Sequence, residues 1–544
     1  GITNTNLIGQ AATSGGSTTA SVGISATSGG DISGTITNSG TIIGSDVAIA
    51  VLSSGAITGG IVNSGNITGG TDAGDDAIHV SAGTLGSTAN VGITNQTGGV
   101  ISGNSAIDIN SGSTVYGITN SGEIYGTGVA GAAIDARSSQ FNGDITNNTG
   151  GIIGANAAGT IADARGIDFS NTDSTGGITN SGTIAGSSVG IYLISSSALA
   201  GAITNAASGS IGLFAGATST VSAATGIYVR LSSSVAGGIV NSGSINGTSV
   251  GVRLGEDASV GTAATTATMA IAGIMNNASA VISGGATGIG INSSTVLGGI
   301  SNSGNIYGAT AGIYIANGAD VAGITNTSTG VIGQQTGAGL IANNGIQLDG
   351  TGTSLSGDID NSGTIIGSQV AIRVSSQASI VGNIINDGMI GVTAPGGAVA
   401  ATAGIQMGSL ASMTGNITNS GTVFGGVDGI QITGGSSFTG NMTNNSGGLI
   451  GVTVSGAAAT HAGINLSSGS AVTGTITNSG TIFGAQYGIS VLSSLGTGIN
   501  NLGLIGVTGS SARAANAGIL ISGGSNRCRL DLRHTGYASV WRRR

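Results

Sequence analysis

Thr35–Ser53 reads TITNSGTIIGSDVAIAVLS, and versions of this stretch recur from one end of the chain to the other. Three short apolar pieces, TIT, TII and AIAV, are separated by turns built from Asn-Ser-Gly and Gly-Ser-Asp. Pieces this short cannot form helices, and runs of Ile, Val and Thr favour strands. The stretch therefore predicts an all-β repeat with three short strands in each unit.

An Asn placed two residues after an apolar residue marks each unit, usually with Thr before it and a small residue and Gly after it. Successive anchors lie 25 residues apart from Asn38 to Asn63 and 32 apart from Asn63 to Asn95, and this alternation recurs. Regular spacing of this size is typical of solenoids. Short units of about 25 residues alternating with long units of about 34 therefore define a repeat array over residues 1–524.

The turns lack the two-residue hairpin chemistry that would reverse each strand. A chain that keeps turning in one direction instead stacks like residues above like, as in a single-stranded parallel β-helix. About 18 coils at ~4.8 Å each would extend on the order of 85 Å. Three inward columns are expected: Ile36, Ile61, Ile93, Ile118 and Ile145; Ile42, Ile67, Ile101, Ile124 and Ile152; and Ile49, Ile78, Ile107, Ile134 and Ile167.

The anchor Asn residues are interpreted as structural. Asn tolerates left-handed backbone angles at a corner, and its amide can both donate and accept, so a stack of Asn can satisfy itself as a ladder. The predicted ladder consists of Asn38, Asn63, Asn95, Asn120, Asn147, Asn180, Asn205, Asn241, Asn302, Asn326, Asn361, Asn386, Asn419, Asn444 and Asn478.

Several long units carry an extra segment after their second piece, and each segment returns to Gly-Ile. These segments are expected to project from one corner of the helix, as loops that either bind a ligand or only tolerate length. They are Gly154–Arg165, Gly391–Ala403, Gly451–Ala462 and Gly506–Ala517.

Charge is scarce and unevenly distributed. Only 6% of the 544 residues are charged, and residues 1–524 hold 20 acidic and 6 basic residues, a formal charge of −14. An acidic body without a basic stripe argues against nucleic acid as a partner. No apolar run is long enough for a membrane-spanning helix. One Cys excludes disulfides and cysteine metal sites, and we expect no cofactor.

Ser525–Arg544 breaks the repeat pattern. This segment holds the only Cys, the only Trp and half of the Arg residues. We interpret residues 525–544 as an atypical basic tail, either an artefact or truncation scar, or a true tail that binds a partner or a surface.

The ITNSGTI-like units at Ile36–Gly44, Ile178–Gly186 and Ile476–Gly484 resemble the passenger domains of bacterial autotransporters, which use type V secretion. The resemblance covers residues 1–524 and also extends to large secreted β-helical adhesins. It implies a right-handed β-helix displayed outside a Gram-negative cell. It further implies a signal peptide before residue 1 and an outer-membrane barrel after the last residue, so the chain is interpreted as a mature form or a fragment.

Acidic residues supply the metal and catalytic candidates. Asp72, Asp75 and Asp76 could hold calcium through oxygen ligands, although an exposed acidic loop is the simpler explanation. Asp358 and Asp360 lie on one side of a strand, as paired glycosidase carboxylates would, but need a charged partner such as Arg373.

Three further patterns, formed by His, Tyr and Thr residues, each have a structural as well as a functional explanation. His79, His461 and His534 are far apart in sequence and are expected to lack partners. Tyr residues could line a sugar-binding face, but core or scattered surface positions are the simpler explanation; they are Tyr116, Tyr125, Tyr192, Tyr228, Tyr307, Tyr314 and Tyr487. An outward Thr row suggests ice binding but is interrupted by Val62, Val240, Met275 and Asp360; its members are Thr37, Thr94, Thr119, Thr146, Thr179 and Thr204.

The sequence favours a non-catalytic, extracellular structural and adhesive stalk of a bacterial surface protein. Its expected partners are glycans or proteins on host or neighbouring cells, bound by a lateral face or by loops. A polysaccharide-active lyase or hydrolase and an ice-binding solenoid are the alternatives.

Overall fold

The computed structural model confirms an all-β parallel β-helix. It describes residues 1–9, 20–128, 131–159, 163–216, 220–261, 273–334, 341–391, 402–452, 458–467, 469–507, 516–522, 530–532 and 540–542. These residues form two units, one of residues 1–274 and 280–284 and the other of residues 275–279 and 285–544. Helices are absent from the described part of the chain, so no helix there could cross a membrane.

Each coil contributes to four parallel sheets rather than the three predicted. The additional strand is only two residues long in most coils, as at Ala56–Ile57. The sequence pattern merges Ile57 with the following Ile61 piece because both are apolar and share parity. The structure separates them by a turn at Thr58–Gly60, where Gly60 has a φ of 76°.

The first sheet carries the anchor residues. Its strands in the first unit are Ile2–Asn4, Ile36–Asn38, Ile61–Asn63, Ile93–Asn95, Ile118–Asn120, Ile145–Asn147, Ile178–Asn180, Ile203–Asn205 and Ile239–Asn241. Ile274–Asn276 spans the division between the units. The second unit contributes Ile300–Asn302, Ile324–Asn326, Ile359–Asn361, Ile384–Asn386, Ile417–Asn419, Met442–Asn444, Thr475–Asn478, Gly498–Asn501 and Leu530–Leu532.

The second sheet follows the Asn-Ser-Gly turn. Its first-unit strands are Leu7–Ile8, Thr41–Ile43, Asn66–Thr68, Val100–Gly103, Glu123–Gly126, Ile152–Ile153, Thr183–Ile184, Ser210–Ile211, Ser244–Gly247 and Val281–Gly284. Its second-unit strands are Asn305–Gly308, Val331–Ile332, Thr364–Ile365, Met389–Ile390, Thr422–Phe424, Leu449–Val452, Thr481–Phe483 and Leu504–Val507.

The third sheet has the longest strands. In the first unit they are Val22–Thr27, Val47–Leu52, Asp76–Ser81, Ser105–Asn110, Ala132–Arg137, Arg165–Ser170, Val189–Ile194, Thr225–Arg230 and Val250–Gly255. In the second unit they are Thr287–Asn292, Ala311–Ala316, Asn344–Asp349, Val370–Ser375, Ala403–Met407, Asp428–Ile432, Ala462–Leu466, Tyr487–Val491, Ala517–Ile521 and Val540–Arg542.

The fourth sheet closes each coil. Its first-unit strands are Asp31–Ile32, Ala56–Ile57, Thr84–Leu85, Thr114–Val115, Gln140–Phe141, Asp173–Ser174, Ala198–Leu199, Ser234–Val235 and Ser259–Val260. Its second-unit strands are Thr295–Val296, Asp320–Val321, Ser354–Leu355, Ser379–Val381, Ser412–Thr414, Ser437–Thr439, Ala471–Val472 and Ser494–Leu495.

The core consists of apolar columns in register. Ile36 pairs with Ile61, and Ile49 pairs with Ile78, as the repeats predict. The second column needs one correction, because Ile124 pairs with Ile153 rather than with Ile152. The turn after Asn147 is two residues longer than in the Ser-Gly units, so the inward residue is the sixth after the anchor, whereas Ile124 is the fourth after Asn120. The side chain of Ile153 is fully buried as a result.

The anchor Asn side chains form a hydrogen-bonded ladder inside each unit. In the first unit each Nδ2 donates to the Oδ1 of the next anchor at 2.7–2.9 Å, from Asn4 through to Asn241. The second unit repeats this from Asn276 through to Asn501 at 2.7–2.8 Å. Nδ2 also bonds to backbone oxygens, as from Asn120 to Gly122 O at 3.0 Å.

The predicted left-handed backbone of these Asn residues is wrong. The anchors are the last residues of extended strands, and none of them has a positive φ. Glycines supply the left-handed angle instead where long loops leave the second sheet. Gly154 has a φ of 89° there, and a Cβ would lie 1.9 Å from Ala185 O. The same position is occupied by Gly212, Gly333, Gly391, Gly451 and Gly506, all with positive φ.

The long loops that the sequence predicts are described only in part. Residues 160–162, 392–401, 453–457 and 508–515 of these segments lie outside the described residues. One further loop at the same corner forms an antiparallel hairpin of Leu213–Ala215 and Thr220–Ser222. Phe214 of this hairpin packs against Ala155, Ala185 and Val221, which gives the loop a small core of its own.

Parts of the predicted atypical tail continue the sheets. The backbone of Leu530–Leu532 pairs in parallel with Gly498–Asn501, and Val540–Arg542 pairs with Ala517–Ile521. The remaining residues of 525–544, including the predicted His534, lie outside the described part of the chain.

We expect Asn120→Ala to lower the free energy of unfolding by about 3 kcal/mol. Asn147 Oδ1 and the Gly122 amide would each lose a buried partner, at ~1–3 kcal/mol apiece. Urea unfolding followed by far-UV circular dichroism measures the change. Thr119→Ala, on the outward position beside the ladder, is the matched control and should change stability by less than about 0.5 kcal/mol. Equal midpoints for the two variants would contradict a stabilising ladder.

Candidate functional site

A groove of about 560 Å³ opens on the side of the first unit, at the corner between the fourth and first sheets. One wall is the loop Ser87–Val91, and the floor consists of Tyr116, Asn142 and Thr175. These three residues each follow the fourth-sheet strand of successive coils. Their backbone amides donate to the preceding coil at 2.7–2.9 Å, which places the three side chains in one stacked row.

The loop that forms the wall is held by its own turn. Ser87 and Asn90 exchange two backbone hydrogen bonds of 2.9 and 3.1 Å, and Asn90 Nδ2 donates to Thr58 O at 3.3 Å. Val91 leaves 45% of its surface exposed beside the floor. The neighbouring coils lack this insertion. Tyr116, on the next coil, therefore lines the groove beside the loop Ser87–Val91.

The floor offers polar groups that the fold does not use. Tyr116 and Asn142 are half-buried, and Thr175 is exposed. Among the described residues, none donates to or accepts from the phenol of Tyr116, the amide of Asn142 or the hydroxyl of Thr175. The lining carries no carboxylate, imidazole or basic group. The groove is therefore uncharged, with one aromatic ring and several free hydrogen-bonding groups.

This loop was missed by the sequence argument. The predicted loops leave the corner between the second and third sheets, whereas Ser87–Val91 joins Thr84–Leu85 to Ile93–Asn95. The signal was present as the 32-residue spacing from Asn63 to Asn95. That spacing does not say at which corner the extra residues lie.

A row of charged side chains follows the third sheet of the same unit. His79, Asp108, Asp135 and Asp168 occupy one register position on four successive coils. They point away from the core, yet the three Asp residues are only 4–6% exposed because neighbours in the stack cover them. Stacked carboxylates repel one another, so each is stabilised by a cationic side chain close to it.

Basic side chains on the same sheet supply that compensation. Arg137 binds both carboxylate oxygens of Asp135, the first through Nε at 2.8 Å, and its Nη2 lies 3.5 Å from Asp108 Oδ1. Arg165 Nη1 donates to Asp168 Oδ2 at 2.7 Å. Burial nevertheless raises the pKa of Asp168 to about 6.

The row continues as stacked aromatic rings. Tyr192 and Tyr228 lie in register with their centroids 5.4 Å apart. Arg165 lies over the Tyr192 ring at 4.9 Å, and Arg253 lies over the Tyr228 ring at 4.7 Å. These rings are covered by guanidinium groups. The Tyr residues considered for a sugar-binding face do not share one face. Tyr116 lies in the groove, Tyr192 and Tyr228 lie on the third sheet, and Tyr125 and Tyr307 lie on the second.

The predicted calcium cluster is divided in the structure. Asp75 Oδ2 accepts from the Asp72 amide at 3.0 Å within an exposed turn. Asp76 is 3% exposed and turns to His79 instead, with Oδ2 2.9 Å from Nδ1. Among the described residues, the group of candidate metal ligands that comes together is Asp76, His79 and Asp108.

The expectation that His79 and His461 lack partners is wrong. His79 contacts two carboxylates, and its hydrogen bonds to Asp108 and Asp76 raise its pKa to about 9. His461 Nδ1 lies 2.8 Å from Asp428 Oδ1, a carboxylate on the preceding coil of the second unit. Asp108 and Asp428 lie close to these histidines only because strands far apart in the sequence are stacked, which sequence distance conceals. Asp76 is three residues from His79 on the same strand.

Asp358 and Asp360 share a groove of about 290 Å³ in the second unit, but Arg373 does not join them. Asp358 Oδ1 accepts two hydrogen bonds from Asn383, at 2.6 and 3.0 Å. Arg373 lies on the third sheet, in register with Gln347 and Gln406. The predicted carboxylate–arginine constellation is therefore absent from these described residues.

The predicted Thr row lies on the first sheet. Five threonines stand in register without interruption: Thr94, Thr119, Thr146, Thr179 and Thr204. Val62 and Val240 bound this run, and Thr37 lies beyond Val62.

Asp163 is a buried titratable group outside these sites. It is fully buried, its Oδ2 accepts from the Gly126 amide at 2.7 Å, and its Oδ1 accepts no hydrogen bond. Burial raises the pKa of Asp163 to about 7. Between pH 4 and 7 the folded chain holds a proton that the unfolded chain has released, so this group makes stability fall as pH rises.

We expect Asp163→Asn to remove that loss. The free energy of unfolding of the variant minus that of wild type should increase by up to about 4 kcal/mol between pH 4 and pH 8. The pKa of Asp163 is raised by about three units, and each unit corresponds to about 1.4 kcal/mol. Urea unfolding of both proteins at the two pH values provides the comparison. A difference that does not change with pH would show that Asp163 ionises normally.

Comparisons with known proteins add no family assignment. No protein-family model, no curated protein and no solved structure matches this chain. The resemblance to autotransporter passenger domains therefore stays a prediction. Conclusions about function depend on the contacts described above.

Proposed function

We propose that this chain is a non-catalytic, extracellular adhesive module of a bacterial surface protein, and that it binds uncharged sugars in the groove beneath Ser87–Val91. The observation that carries the proposal is the unused hydrogen-bonding capacity of Tyr116, Asn142 and Thr175. A sugar presents many hydroxyl groups and apolar ring faces. A shallow site with one aromatic ring and several amide and hydroxyl groups is complementary to both.

The stacking of the coils supports an extended ligand. Tyr116, Asn142 and Thr175 follow one another at the spacing of the sheet, ~4.8 Å per coil, so the row spans about 10 Å. An oligosaccharide lying along this row would meet one side chain per coil. The hydrogen-bonded backbone fixes the positions of these three residues before the ligand arrives, which reduces the entropy lost on binding.

The lining also supports binding rather than turnover. General acid–base catalysis needs a side chain that exchanges a proton near the working pH. The only titratable group among the lining residues is the Tyr116 phenol. Adhesion and extracellular display are what the resemblance of the repeats to autotransporter passenger domains implies.

We expect Tyr116→Ala to weaken sugar binding at least tenfold, because it removes the only aromatic surface of the groove. A glycan array with the purified chain identifies the ligand, and isothermal titration calorimetry gives the dissociation constants. Tyr125→Ala is the matched control, since Tyr125 is also a half-buried tyrosine of this unit but lies on the second sheet.

Two outcomes would contradict the proposal. One is an array with no uncharged glycan bound, and the other is equal affinity for wild type and Tyr116→Ala. Antibody labelling of intact producing cells tests the extracellular location separately, and labelling only after lysis would overturn that part.

A further inference from the structure

We propose that Asp76, His79 and Asp108 form a binding site for a divalent transition-metal ion, with Zn²⁺ as the best match. The ligand atoms would be His79 Nδ1 and one oxygen from each carboxylate. These atoms all lie within 4.8 Å of one another. Nδ1 is 2.9 Å from Asp76 Oδ2 and 3.1 Å from Asp108 Oδ2. This site is separate from the groove and does not depend on the proposed sugar binding.

The fold assembles the three ligands from two adjacent coils. His79 and Asp108 occupy the same register position on neighbouring third-sheet strands. Asp76 is the first residue of the His79 strand, at the corner, and its side chain lies toward His79. Since two rigid strands carry the ligands, their spacing is set by the sheet and not by a mobile loop.

Neighbouring groups orient both carboxylates. Asp76 Oδ1 accepts from the Ser105 amide at 3.3 Å, and Asp108 Oδ2 accepts from Asn110 Nδ2 at 2.7 Å. Such outer contacts are characteristic of metal ligands because they hold the donor atoms in place. The side chains of Asp76 and Asp108 are only 4% and 9% exposed, whereas that of His79 is 23% exposed and gives a path to solvent.

One buried carboxylate oxygen of the cluster has a long ion pair and no hydrogen bond. Asp108 Oδ1 accepts no hydrogen bond, although its side chain is more than nine-tenths buried. Arg137 Nη2 lies 3.5 Å from this oxygen, and Arg137 is already engaged by both oxygens of Asp135. A divalent ion between the two Asp carboxylates would balance their charge, with the imidazole neutral and its Nδ1 proton released.

The donor set selects the kind of metal. Calcium and magnesium prefer six or more oxygen ligands, whereas Zn²⁺ accepts mixed nitrogen and oxygen donors at ~2.0–2.2 Å. Three protein ligands leave a fourth tetrahedral position for water. The separations of His79 Nδ1 from the two oxygens, 2.9 and 3.1 Å, are slightly shorter than the ~3.4 Å between ligands of a tetrahedral zinc ion. All three ligand atoms lie within 4.8 Å of one another, so binding requires the carboxylates to adjust around the ion.

The second unit provides a matched control. His461 Nδ1 also lies 2.8 Å from a carboxylate, that of Asp428. The second anion is missing there, because Asp428 Oδ2 accepts instead from Gln431 Nε2 at 2.9 Å and Asn465 Nδ2 at 3.0 Å. Amide donors face this carboxylate where the Asp76 site has another carboxylate, so the His461 pair should not hold a metal.

Calorimetric titration of untagged, chelator-treated full chain with ZnCl₂ tests the site. We expect one equivalent to bind to wild type, and His79→Gln and Asp108→Asn each to weaken binding at least tenfold. Asp108→Asn keeps the size of the side chain, and circular dichroism confirms that each variant is folded. His461→Gln should bind Zn²⁺ as wild type does.

The proposal is overturned if wild type takes up no stoichiometric Zn²⁺, or if His79→Gln binds it unchanged. Loss of binding in His461→Gln would place the metal elsewhere and overturn it equally. Titration with CaCl₂ distinguishes the zinc site from the predicted calcium cluster, which includes Asp72 and Asp75. Wild type that binds calcium but no zinc, with calcium binding unchanged in His79→Gln, would also reject the proposed zinc site.

Discussion

The structure depends on one repeated interaction, the hydrogen bond from the amide of one Asn to the amide of the next. Each anchor is buried, so its donor and acceptor must be satisfied by protein, and the neighbouring Asn satisfies both. This requirement holds only when every coil places Asn at the same height. The ladder thereby sets the register of the first sheet, and the Ile columns of the other sheets follow from it. A slip of one residue would bury Thr and expose Ile throughout.

Strict register between coils brings like charges together, as in the third sheet of the first unit. Like residues stack above like, so Asp108, Asp135 and Asp168 are held in one row and repel one another. Arg137, Arg165 and His79 offset that repulsion from the same sheet. The charged residues of this row therefore compensate one another. In the second unit, Gln347, Gln406, Gln431 and Asn465 occupy four of these positions. Asp428 is satisfied by amide donors and His461.

Insertions create the surfaces that differ from the repeat. The groove exists because five residues, Ser87–Val91, are added at one corner of one coil, above a row formed by Tyr116, Asn142 and Thr175. The helix supplies a rigid floor, and the loop supplies the wall. Neither the floor nor the loop alone forms an uncharged, concave surface. The metal-site proposal has the same logic, since its ligands come from two coils and become a cluster only through stacking.

The sequence by itself determined the fold class, the anchor positions and two of the three predicted Ile columns, because these depend on the period and parity of apolar residues. It could not determine the fourth strand, since two residues carry too little pattern to separate Ile57 from Ile61. The shift from Ile152 to Ile153 likewise depends on a local turn. Only the tertiary structure decided which side chains meet: His79 and Asp108 are 29 residues apart in the chain but adjacent in the sheet. The physical reason is that spacing along the chain predicts which coil a residue belongs to, whereas a site depends on the corner at which each insertion lies and on which side chains face each other across coils.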